Sequence, residues 1–61
     1  MKQKAFKWFD AHQLTAEELS DYNYLEDLLE NFQEAEECEL EEEEVVDIIL
    51  SYQAKTRKKL G

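Results

Sequence analysis

The sequence predicts an all-α protein, and three observations carry the prediction. There is no Pro and the single Gly is Gly61, so no helix breaker stands inside the chain. Glu, Leu, Lys, Gln and Ala, all strong helix formers, are abundant. Apolar residues recur at helical spacing rather than alternating as they would in a strand. The pattern predicts three helices, over about 3–13, 16–37 and 41–59, in one small domain packed as a symmetric helical dimer. A monomeric three-helix bundle is the alternative.

The first helix rests on Ala5, Trp8, Phe9 and His12 at i, i+3, i+4 and i+7, with Phe6 beside them. Trp8 and Phe6 point about 160° apart on this helix, so one of them is expected at the surface.

The start of the second helix is the most specific local signal. In Leu14-Thr15-Ala16-Glu17-Glu18-Leu19, Thr15 can cap the helix while Glu18 reaches back to its amide. Leu14 and Leu19 hold the two positions of a hydrophobic staple. From there Leu19, Tyr22, Leu25, Leu28, Leu29, Phe32 and Ala35 form one apolar stripe. Tyr22 and Tyr24 cannot both join it, which leaves Tyr24 as the surface residue.

The third helix is framed by charge. Glu41, Glu42, Glu43 and Glu44 suit the positive end of a helix dipole, and Lys55, Arg57, Lys58 and Lys59 suit the negative end. Leu40 and Val45 repeat the staple spacing. Val45, Ile48, Ile49 and Tyr52 share a face, but Val46 and Leu50 widen the apolar arc to roughly 200°, more than one packing partner covers. A chain of 61 residues has few neighbours to offer, so a second subunit is expected there. Size argues the same way. A domain this small buries only about 60% of its unfolded surface. The lone Cys38 cannot make an intrachain disulfide, and no Cys/His cluster suggests a structural metal, which leaves oligomerisation.

Charge is distributed in blocks. All sixteen acidic residues lie between Asp10 and Asp47, all seven basic residues lie outside that span, and the net charge is −9. A body of one sign points to a protein partner with a basic surface and makes direct nucleic-acid binding an unfavoured reading. Glu26, Glu30 and Glu34 recur every fourth residue, with Glu37 completing the row. Each step advances about 6 Å along a helix, close to the spacing of phosphates on one DNA strand, so the row can imitate a nucleic-acid backbone. The plainer reading is a solvated face. Like charges at i, i+4 weaken a helix, however, and no lysine relieves these. The expected partner-binding set is therefore Glu26, Glu30, Glu34, Glu37, Glu41, Glu42, Glu43 and Glu44, with Trp8 or Tyr24 as an apolar anchor.

Other chemistries find little support. His12 is the only histidine and has no nucleophile or acid placed beside it by sequence. Cys38 sits among Glu36, Glu37, Glu39 and Glu41, a setting that disfavours a thiolate. Asp21-Tyr22-Asn23 resembles the start of a calcium loop, but Glu26 stands where that loop needs Gly. No internal Gly can cradle a phosphate. The expectation is a non-enzyme with no cofactor, no metal and no membrane span, located in the cytoplasm. Its size and charge have the general look of small phage or mobile-element regulators. A second class, a helical assembly protein whose charge blocks set subunit register, competes with it.

Overall fold

The computed structural model describes residues 2–60, with side chains through Arg57. Four helices follow in order: α1 (Lys2–Ala11), α2 (Ala16–Leu19), α3 (Tyr22–Ala35) and α4 (Glu42–Leu60). No strand occurs among the described residues. The all-α class stands, and the helix count is corrected from three to four.

The correction falls at Ser20-Asp21, where the expected helix over 16–37 divides. The Ser20 hydroxyl donates to the Ala16 carbonyl at 3.1 Å. Asp21 adopts extended backbone and its carboxylate accepts from the Tyr24 amide at 3.2 Å. Ser and Asp offer the backbone side-chain partners that compete with helix continuation, so two adjacent ones make a stop and a new N-cap. What remains of α2 is a single turn. It holds the complete Thr15–Glu18 capping box, with the Thr15 amide donating to Glu18 Oε1 at 2.9 Å and the Glu18 amide to Thr15 Oγ1 at 3.2 Å. One turn cannot sustain itself in water. The Gln53 amide of α4 steadies it by donating to the Leu19 carbonyl at 3.2 Å.

α1 and α3 end through left-handed residues. Glu37 (φ 53°) follows the α3 C-cap, and Cys38 and Glu37 donate to the Gln33 and Glu34 carbonyls at 2.9 and 3.2 Å. This is a Schellman closure with glutamate where glycine is cheapest. Gln13 (φ 50°) ends α1 in a similar way, donating to the Asp10 carbonyl at 3.1 Å. α1 therefore stops at Ala11, two residues short of the expected 13. α4 begins at Glu42, with the Glu41 carbonyl accepting from Val45 at 3.0 Å. Glu42, Glu43 and Glu44 occupy its first turn, where the dipole favours them. The Lys58 and Lys59 side chains assigned to its other end lie outside the described residues.

α1, α3 and α4 surround one core. Ala5 and Phe9, Leu25, Leu28, Leu29 and Phe32, and Ile48, Ile49 and Tyr52 form a single buried cluster. Leu14, Leu19, Leu40 and Val45, the four expected staple residues, pack against it half-buried. Each fully buried Leu, Ile or Phe contributes about 1.5–3 kcal/mol by leaving water. Polar ties fix the helix register. The Trp8 indole donates from Nε1 to the Leu28 carbonyl at 3.0 Å, and the Tyr52 hydroxyl donates to Asp10 Oδ1 at 2.6 Å. The body measures 34 × 21 × 20 Å.

Candidate functional site

The expected acidic row becomes one wall of a groove. The apolar stripe of α3 turns Leu25, Leu28, Leu29 and Phe32 inward, which leaves Glu26, Glu30 and Glu34 on a flank of the same helix. Beyond Ala35 the Schellman closure folds the chain back on itself. The Leu40 amide then donates to the Gln33 side chain at 2.9 Å, which pins the returning segment beside α3. Glu37, Glu39 and Glu42 join the α3 glutamates around a groove, open to solvent, with a volume of about 1110 Å³. Gln33, Cys38, Leu40 and Val45 complete its lining. Six carboxylates thus line a depression whose apolar residues are partly covered.

This arrangement differs from a solvated helix face in two ways. The glutamates come from three segments, so their grouping is a product of the fold. The groove also offers half-buried Leu40, Val45 and Cys38 to the methylene stems of a long cationic side chain. Among the described residues, no Lys or Arg lies within salt-bridge distance of these six carboxylates; the recorded ion pair is Lys2 Nζ to Asp47 Oδ2 at 3.0 Å. No group of three or more His, Cys, Asp or Glu among the described residues is close enough to hold a metal ion. The negative charge is spread along the groove, which suits an extended cationic surface better than a point charge.

The other named residues lie elsewhere. Glu41 and Glu44 stand outside the groove at the start of α4. Glu43 borders a second, shallow depression of about 480 Å³ with Glu42, Val46, Asp47 and Leu50. Tyr24 is 38% exposed. Its phenol is held above the ordinary range by a hydrogen bond to Glu18 and by that carboxylate's charge. Glu18 is correspondingly lowered, first by the Thr15 amide. Trp8 is half-buried. Its N–H serves Leu28, and its ring packs edge-on to Phe32 at 5.9 Å and against His12 at 4.8 Å. It ties α1 to α3, and part of its ring borders a depression with Lys4, Lys7, Phe32 and Glu36. His12 donates from Nδ1 to the Trp8 carbonyl at 2.8 Å, as a residue ending a helix does.

Glu39, Gln33, Leu40 and Val45 were not singled out as site residues by the sequence. The staple spacing of Leu40 and Val45 marks a helix start near Glu41, and no sequence signal places that segment beside α3. No helix among the described residues is long and apolar enough to cross a membrane. The chain matches no known family model, no curated protein and no solved structure.

Proposed function

We propose that this chain is a regulatory interaction protein whose acidic groove docks a basic surface of another protein. One observation carries the reading: Glu26, Glu30, Glu34, Glu37, Glu39 and Glu42 converge on one groove with partly covered apolar residues among them. A basic segment entering it meets charge on both sides and apolar area for its side-chain stems. Glu26, Glu30 and Glu34 keep the roughly 6 Å step of an α-helical i, i+4 row. The target class that best meets such a row is a nucleic-acid-binding protein, whose basic site this chain would occupy in place of a phosphate backbone. Tyr24, exposed outside the groove, remains the apolar contact of this reading, while Trp8 serves as the tie between α1 and α3. The protein acts as a homodimer in this reading, because α4 carries apolar side chains that its own chain does not cover.

The experiment is capture with tagged protein at low and high salt, beside the Glu26→Lys, Glu30→Lys, Glu34→Lys triple variant. Wild type retains a nucleic-acid-binding protein at low salt, releases it at high salt, and competes with DNA for it. The variant keeps its helicity and retains nothing. Retention of the same protein by the variant would sink the proposal. Salt-dependent loss of self-association, with no foreign partner bound, would favour the assembly class instead.

A further inference from the structure

The outer face of α4 is a second surface that the fold leaves open. Ile48, Ile49 and Tyr52 place one side of α4 in the core. Leu50 lies about 200° from Ile48 around the helix and is 53% exposed. Val46, one turn earlier, is half-buried, and Ala54, one turn later, is exposed. The same stripe begins at Glu43 and ends at Arg57, both exposed. Each is two helical turns from Leu50, about 10 Å along the axis. Asp47, the acid next to Leu50 on this face, is held by Lys2 of its own chain at 3.0 Å. The stripe thus carries Val46, Leu50 and Ala54 at its centre beside the exposed Asp47–Lys2 ion pair, with a negative residue at one end and a positive one at the other.

We propose that a second copy of this chain covers the stripe, with its α4 antiparallel to the first about a two-fold axis at Leu50. In a two-fold contact, if one residue faces another, the reverse also holds. Leu50 meets Leu50, Val46 meets Ala54 on both sides, and Glu43 meets Arg57 on both sides. The parallel alternative sets Glu43 against Glu43 and Arg57 against Arg57, so charge selects the direction. Leu14, Leu19 and Tyr24 do not lie on this helix and contribute nothing to the choice. The inference rests on the homodimer of the preceding reading; Glu42 borders both surfaces, but the paired residues Glu43, Val46, Leu50, Ala54 and Arg57 lie outside the acidic groove. A single helix pair lies at the small end of specific interfaces, and a net charge of −9 per chain opposes association. The dimer is accordingly concentration-dependent and is favoured by salt near ~0.15 M, which screens the long-range repulsion.

Sedimentation equilibrium on the full chain tests this, from ~10 μM to ~1 mM, a range that brackets a weak dissociation constant. The mass is expected to rise from that of the 7.3 kDa chain toward twice that value. Leu50→Asp, at an exposed position that the fold does not need, leaves far-UV circular dichroism unchanged and holds the chain monomeric. Glu43→Arg or Arg57→Glu alone turns two attractive pairs repulsive and raises the dissociation constant about tenfold. The double exchange Glu43→Arg with Arg57→Glu restores it. A monomer at every concentration, or a dimer untouched by Leu50→Asp, would overturn the interface. Failure of the double exchange to restore affinity would overturn the antiparallel register. The monomeric Leu50→Asp chain still presents the acidic groove, so loss of partner capture and loss of dimerisation are read separately.

Discussion

The Tyr52 hydroxyl donates to Asp10 Oδ1 at 2.6 Å, joining α4 to the end of α1 across 42 positions of sequence. Tyr52 itself is buried, with Phe9 and Phe6 packed on its ring at 4.8 and 5.2 Å, and Lys55 Nζ lies 5.2 Å from the Phe6 ring. Burial raises the phenol well above its ordinary range, and the hydrogen bond to Asp10 and the Asp10 charge raise it further. The proton on Tyr52 is therefore part of the folded state.

Tyr52→Phe removes this bond and leaves the ring packing intact. The expected loss is about 1 kcal/mol at neutral pH, since the acceptor is charged but exposed to solvent. The pH dependence has a definite sign. A tyrosine raised in the folded state stabilises fully below its unfolded value, about 10, and that contribution is lost as pH rises above it. Urea unfolding of both proteins from pH 7 upward should show the gap between them constant to about pH 9 and closing beyond pH 10. An unchanging gap would contradict the account of Tyr52.

Glu37 occupies a left-handed conformation at φ 53° that costs a non-glycine residue about 1–2 kcal/mol. Glu37→Gly is expected to stabilise the protein by about 0.5–1 kcal/mol after glycine's own entropy is counted. Glu37→Ala keeps the left-handed cost and removes the same charge. The difference in chemical denaturation midpoint between the two variants isolates the backbone term from the electrostatic one. Equal midpoints would show that the conformation is not strained.

Trp8→Phe keeps a ring against Phe32 but deletes the donor to the Leu28 carbonyl. A stability loss of about 1–2 kcal/mol is expected from the lost interhelix hydrogen bond and from the smaller ring, while the Leu28 carbonyl keeps its partner within α3. Partner capture by the acidic groove should persist at temperatures where the variant is folded. Abolished capture in a fully folded variant would make Trp8 a contact residue rather than a tie between helices.

Much of the fold was legible because its strongest signals are local or periodic. Thr15 and Glu18 form the capping box that their spacing announces, and Leu25, Leu28, Leu29 and Phe32 are buried as their stripe requires. The break at Ser20-Asp21 was also written in local residue types. It was overridden by the continuous stripe from Leu19 to Ala35, because one apolar face can run across a cap without interruption. The groove was legible in part. Glu26, Glu30 and Glu34 share a face by helix period alone. Their meeting with Glu39, Glu42 and Leu40 depends on Glu37 entering the left-handed region and on Gln33 accepting from Leu40. Neither residue type advertises that role, since glycine is the usual mark of such a turn.

The central claim, that the groove rather than general acidity recognises a basic partner, is tested most directly by amide chemical-shift mapping. The probe is a lysine- and arginine-rich helical peptide added at ~20 mM salt, where electrostatic contacts are least screened. Shifts confined to the groove lining, Glu26, Glu30, Gln33, Glu34, Glu37, Cys38, Glu39, Leu40, Glu42 and Val45, are the expected result. Equal shifts at the exposed acids outside the groove, Glu17, Asp27 and Glu44, would contradict it.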